Sequence, residues 1–156
     1  MILNNKIEIA FNSRQAPERL SSHPSTLLDE EPDIKQIVGK RWAELSKNDI
    51  ERMADAIHFF SSEAFCYYLP GALLYGIQSN SRDYMVFENI LNSLDRSPTP
   101  EYWNDKFIEH WGQLSTDELS AVQDWLHWYF SEVYDAWANT HQRCHETLEQ
   151  LKQRKS

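Results

Sequence analysis

From Ser115 to Ser156 the chain contains no proline and no glycine, and apolar or small side chains recur at gaps of three and four. Leu119, Val122, Leu126, Tyr129, Val133, Ala136, Thr140, Cys144, Thr147 and Leu151 carry this repeat. Such spacing lines one face of an α-helix. The pattern predicts a helix of more than roughly 30 residues, headed by Ser115 and Glu118 at the two positions of a capping box. In its first half Trp125, Trp128, Tyr134 and Trp137 widen the apolar face, which implies neighbours on more than one side. In its second half the stripe thins and charge rises, so that half is expected to project past the body.

The rest of the chain reads the same way. Ile7, Ala10 and Phe11 predict a short helix over residues 3–13, although the alternating IEIAF leaves a strand open there. Residues 14–33, with Pro17, Pro24 and Pro32, read as an irregular connection. Ile34, Ile37 and Val38 give one or two helical turns before Gly39. Ser46 with Asp49 forms a capping pattern ahead of a stripe of Ile50, Met53, Ala54 and Ile57. Ser61 or Ser62 can cap the next helix, which runs into the uncharged stretch FCYYLPGALLYGI, residues 65–77. Pro70 disfavours helical geometry at Leu69, so two helical pieces with a break at Leu69–Pro70 are expected. Phe65, Leu69, Leu73, Leu74 and Ile77 are expected in the core. Tyr84, Phe87, Ile90, Leu91 and Leu94 predict a further helix, and Tyr102, Trp103, Phe107 and Trp111 a short one entered at Pro100.

No run alternates long enough to establish a strand, and four glycines are too few for a turn-dense β fold. The expected architecture is all-α: one domain over residues 1–156, about six helices around an aromatic-rich core at 42–133, and a long C-terminal helix. Thirteen uncharged residues fall short of the roughly 20 that span a bilayer, and the amino terminus is too polar for a signal peptide. The expectation is a soluble, cytoplasmic protein with Cys66 and Cys144 as separate thiols. Twenty-four acidic against fifteen basic residues give a formal charge of −9. That field opposes nucleic acid and favours a basic protein surface.

Phosphate-binding glycine loops, nucleophile elbows, EF-hand loops and CxxC pairs are all missing from the sequence. His141 and His145 stand i, i+4 around Cys144, a spacing zinc sites use, but no further ligand is evident and Gln142 replaces the HExxH glutamate. Ordinary helix-surface residues are the preferred reading, and neither a metal nor another cofactor is expected. His58, His110 and His127, each beside aromatics, read as packed side chains. The acidic residues form stripes: Glu101, Asp105 and Glu109 at i, i+4, i+8, and Glu51 with Asp55, near Glu44 and Asp49. Asp117, Glu118 and Asp124 decorate the start of the long helix. Like charges at this spacing help a helix little. Three uses compete for them: a solvated face, a docking surface for a basic protein, and paired carboxylates in a cleft.

Trp42, LSKNDIE, FFSSEAFCYYLPGALLYGI, NSLD and LSTDEL…VQDWLHWY follow one another in an order that resembles a family of small acidic bacterial proteins of unknown function. Tyr68, Leu69 and Pro70 carry most of the likeness, which covers about residues 42–133. Some proteins of that kind are encoded beside polymorphic or contact-dependent toxins, which implies an immunity role and assigns no catalytic residue. The resulting expectation is a non-catalytic protein that neutralises a basic, nuclease-type toxin through Glu51, Asp55, Glu101, Asp105 and Glu109. The alternatives are a cytoplasmic interaction or regulatory module, and an enzyme with a pocket lined by His58, Tyr67 or Tyr68 and an acid.

Overall fold

A computed structural model describes residues 2–20, 32–132 and 137–155. They form eight α-helices: α1 (Ile2–Phe11), α2 (Pro32–Ile37), α3 (Lys47–Ala56), α4 (Ser62–Ser79), α5 (Met85–Leu94), α6 (Asp105–Trp111), α7 (Thr116–Phe130) and α8 (Ala138–Gln153). Two short 3-10 turns, Trp42–Glu44 and Pro100–Tyr102, sit between them. The architecture is all-α, as the periodicity implies, and IEIAF lies in α1. Residues 21–31, most of the expected irregular connection, and 133–136, with Val133, Tyr134 and Ala136 of the long stripe, fall outside the described residues.

Local chemistry starts most of these helices. Ser46 Oγ accepts the Asp49 amide at 3.3 Å while Asp49 Oδ2 accepts the Ser46 amide at 2.9 Å, closing the expected capping box. Ser61, not Ser62, caps α4 by accepting from the Ala64 amide at 3.1 Å. Ser115 and Glu118 close a second box at α7. Helix α4 ends at Asn80, whose φ of 52° is the left-handed conformation that asparagine tolerates.

Three expectations are corrected. Helix α4 runs unbroken through Pro70. An interior proline removes one backbone hydrogen bond and costs about 3 kcal/mol. Every residue from Ala64 to Leu74 is buried, and the packing gained along that span outweighs the local penalty. The adjoining Gly71 is where another element comes closest. A Cβ there would sit 2.6 Å from the Trp42 carbonyl oxygen and 2.8 Å from Leu45 Cδ1, so the 3-10 turn rests on bare helix backbone.

The 30-residue C-terminal helix is in fact two, α7 and α8, packed against each other. Arg82, from the α4–α5 connection, supplies what local sequence does not. Its Nη2 donates to the Trp128 carbonyl at 2.8 Å and its Nε to the Tyr129 carbonyl at 3.0 Å. The guanidinium also stacks 4.0 Å from the Trp128 ring. A cation on the last carbonyls of a helix satisfies orphan acceptors and the negative end of the dipole. Helix α8 does not project: Cys144, Thr147, Leu148 and Leu151 are buried, and it packs on α5 as well as α7.

One hydrophobic cluster takes side chains from all eight helices. Helix α4 is its axis, touching α1, α3, α6 and the Trp42 turn. Phe65, Leu69 and Leu73 are buried in it as expected, Leu74 is buried as well, and Ile77 is partly buried against it. Tyr68 is also buried, and its hydroxyl donates to the Lys40 carbonyl at 2.8 Å. Among the described residues no helix is long and apolar enough to cross a membrane.

Candidate functional site

Six of the described carboxylates are paired with cations of the fold. Asp49 is fully buried and receives Lys40 Nζ on both oxygens at 2.8 and 2.9 Å. Burial pushes its pKa up, but hydrogen bonds from Lys40, Ser46 and Gln36 prevail and hold the carboxyl below its usual range. Glu118 is buried as well, and Arg14 grips both of its oxygens at 2.7 and 2.8 Å. Asp124 pairs with Lys6, Asp95 with Arg143, Glu132 with Arg82 and Glu149 with Lys152. All but the Glu149–Lys152 pair, which lies within α8, join separate elements, and Glu149 reaches α7 by accepting from Gln123 Nε2 at 2.8 Å.

Glu51, Asp55, Glu101, Asp105 and Glu109 have no such partner, and Glu8, Glu18, Glu44, Glu63, Asp83, Glu88 and Asp117 are likewise exposed without an ion pair among the described residues. The first five are exposed, and none makes a side-chain hydrogen bond or an ion pair among the described residues. Their arrangement differs from the expected stripe. Glu101 lies in the 3-10 turn, and Trp103 and Asn104 are extended before α6 begins at Asp105. The chain leaves the helical path because Trp103 is buried with its indole donating to the Ser97 carbonyl at 2.8 Å, and Asn104 caps α6. Asp105 and Glu109 therefore share a helix, and Glu101 stands on the turn before it. Lys106 Nζ donates to the His58 carbonyl at 3.0 Å, which ties α6 to the segment that follows Glu51 and Asp55.

Beside this surface lies a cavity of about 330 Å³ between the α3–α4 junction, α5 and α6. Phe65, Phe107 and Trp111 give it an aromatic wall, and among the described residues no aspartate or glutamate lines it. The Arg96 guanidinium lies 3.8 Å over the Phe107 ring, and its Nε donates to the Ser93 carbonyl at 2.6 Å. Ser93 Oγ accepts the Trp111 indole at 2.9 Å. His110 is 7% exposed, with Nδ1 2.9 Å from Ser62 Oγ and Nε2 without a partner. Burial, reinforced by the Lys106 charge and only partly opposed by the Phe60 carbonyl, lowers the His110 pKa to about 4. Among the described residues no carboxylate bonds to this imidazole. His58 lines the cavity, whereas Tyr67 and Tyr68 do not.

The sequence contained no local signal for this cavity, because its residues converge only when three helices pack. Histidine beside aromatics was read as packing. That describes His110 in part, but a shifted imidazole with one unpartnered nitrogen at a cavity wall is also a site signature. A depressed pKa has a measurable consequence. Between about pH 6.5 and about 4 the unfolded chain holds the proton that folded His110 refuses, so stability falls as pH drops through that window. Above it the contribution is complete. Unfolding midpoints measured from pH 7 to pH 4 are expected to fall less steeply for His110→Gln than for wild type.

Folding back of α8 also brings His127 beside the pair that sequence placed on one helix face. Its ring centroid lies 4.9 Å from that of His141 and 5.6 Å from that of His145, and the His141 ring stacks on Phe130. Burial, then the charges of His127 and His145, lowers the His141 pKa. Among the described residues no group of three or more His, Cys, Asp or Glu has an arrangement that could hold a metal ion. Cys144 points the other way, into the core, where burial drives its thiol up to about 12; Cys66 is pushed equally high by burial. Neither is a thiolate at neutral pH, so neither has the form of an activated nucleophile.

Nothing among the curated proteins and nothing among the solved structures matches this chain. A family model does, and it spans residues 3–151, reaching α1 and α8 beyond the 42–133 segment on which the sequence resemblance rests. The chain belongs to DUF6714, a family of unknown function.

Proposed function

We propose that the protein is a non-catalytic binding protein that receives a basic protein partner on Glu51, Asp55, Glu101, Asp105 and Glu109. In its sharper form it is a cytoplasmic immunity protein that masks the active surface of a nuclease-type bacterial toxin. The observation that carries this reading is the placement of these five carboxylates, exposed without partners on α3, the Pro100–Tyr102 turn and α6, while six others are committed to cations within the fold. Tyr102, 79% exposed, stands next to Glu101 and three residues before Asp105. Tyrosine in such a place is the residue type that anchors interface centres. A net charge of −9 speeds encounter with a basic surface and opposes nucleic acid.

The test uses two baits, the wild-type protein and the variant E51Q/D55N/E101Q/D105N/E109Q, against one lysate of cells that express the candidate basic toxins in inactive form. Wild type is expected to retain one of those toxins at physiological salt, and the variant to lose it. A regulatory module whose acidity serves solubility alone predicts equal retention by both baits, or retention of no toxin.

A further inference from the structure

We propose that the cavity between the α3–α4 junction, α5 and α6 binds a small molecule that carries an oxyanion, a carboxylate or a phosphate monoester, through Arg96 and Lys106. The aromatic wall takes the apolar part of the same molecule. This inference is independent of the acidic docking surface.

Charge segregation is the first support. Among the described residues no aspartate or glutamate lines this cavity, while two cations and two histidines do. Three wider surface depressions each include a carboxylate: Glu118 in one, Glu109 in another and Asp117 in the third.

The second support is the state of the cations. Arg96 forms no ion pair among the described residues. Its Nε is used by the Ser93 carbonyl and its face by Phe107, which fixes the guanidinium plane and leaves Nη1 and Nη2 as a preset fork. A planar fork of this kind matches an oxyanion. The neighbouring acid Asp95 does not neutralise it, being held by Arg143. Lys106 spends one N–H on the His58 carbonyl and keeps two.

Size and lining are the third. About 330 Å³ lies at the small end of ligand sites, which pair apolar walls with a few placed polar groups. His110 adds a neutral imidazole to the wall, with an Nε2 that has no hydrogen-bond partner among the described residues.

Isothermal titration calorimetry with phenyl phosphate, benzoate and benzyl alcohol tests the proposal. Saturable one-to-one binding of phenyl phosphate or benzoate is expected, with whichever binds tighter identifying the oxyanion. Benzyl alcohol should bind at least roughly tenfold more weakly, as should the better anion to Arg96→Gln or Lys106→Gln. Lys47→Gln, an exposed cation on α3 outside the cavity, should bind as wild type does. If Arg96→Gln fails to fold, the exposed Lys106→Gln decides. Absence of saturable heat for both anions at millimolar concentration overturns the proposal. So does undiminished binding by Lys106→Gln, or equal binding of the alcohol.

Discussion

Trp125→Ala is expected to remove about 3–5 kcal/mol of folding stability, the range for truncating a large aromatic in a packed core. Trp125 is fully buried on α7, where α4, α5 and α7 meet. Its indole donates to the Leu73 carbonyl of α4 at 3.0 Å. Its ring meets Phe87 of α5 edge-on at 5.3 Å between centroids and stacks with Tyr129 at 5.2 Å. Truncation opens a void among rings that cannot collapse together, since each is held by a different helix. Urea unfolding should show the midpoint fall with little change in slope. Trp137→Ala is the control: that residue is 53% exposed, and its loss should stay within about 0.5 kcal/mol.

Glu118→Ala ranks second. One carboxylate does two jobs there: Oε1 accepts the Ser115 amide at 2.7 Å as half of the capping box, and the pair of oxygens holds Arg14 just beyond α1. Losing the cap costs about 1 kcal/mol. Stranding Arg14 adds more, but less than the roughly 3–5 kcal/mol of a fully buried broken pair, because the Arg14 side chain is 21% exposed. The expected total is roughly 2–3 kcal/mol. Adding Arg14→Met should recover part of the loss, since the stranded charge goes with it. Hydrogen exchange should localise the damage to α1 and the first turn of α7.

Those two residues also mark what sequence could and could not reveal. Ser115 with Glu118, and Ser46 with Asp49, are legible as caps because a cap is a relation across three residues. That the same Glu118 and Asp49 are buried and paired with Arg14 and Lys40 is not legible, since Arg14 lies 104 residues away from its partner. Helical stripes such as Ile50–Met53–Ile57 and Phe87–Ile90–Leu94 were readable for the same local reason. The end of α7 was not, because no glycine or proline stands at the break and the guanidinium on its last carbonyls comes from Arg82, 46 residues before Trp128. Pro70 misled in the opposite sense: a correct local rule was outweighed by burial on every side of α4. Glu51, Asp55, Glu101, Asp105 and Glu109 were found by spacing, although Trp103 breaks the continuous face that the spacing implied. The cavity was missed because Arg96, Lys106, His58 and His110 share no motif and meet only through packing.

The central claim is that these five carboxylates receive a basic protein. Its most direct test is the association rate of the wild-type protein and of E51Q/D55N/E101Q/D105N/E109Q with the captured basic partner, measured at low and at physiological ionic strength. For wild type the rate is expected to fall by roughly tenfold or more as salt rises, because long-range attraction is screened. The variant should start slower and change little. Equal rates and equal salt dependence for the two proteins would contradict the claim.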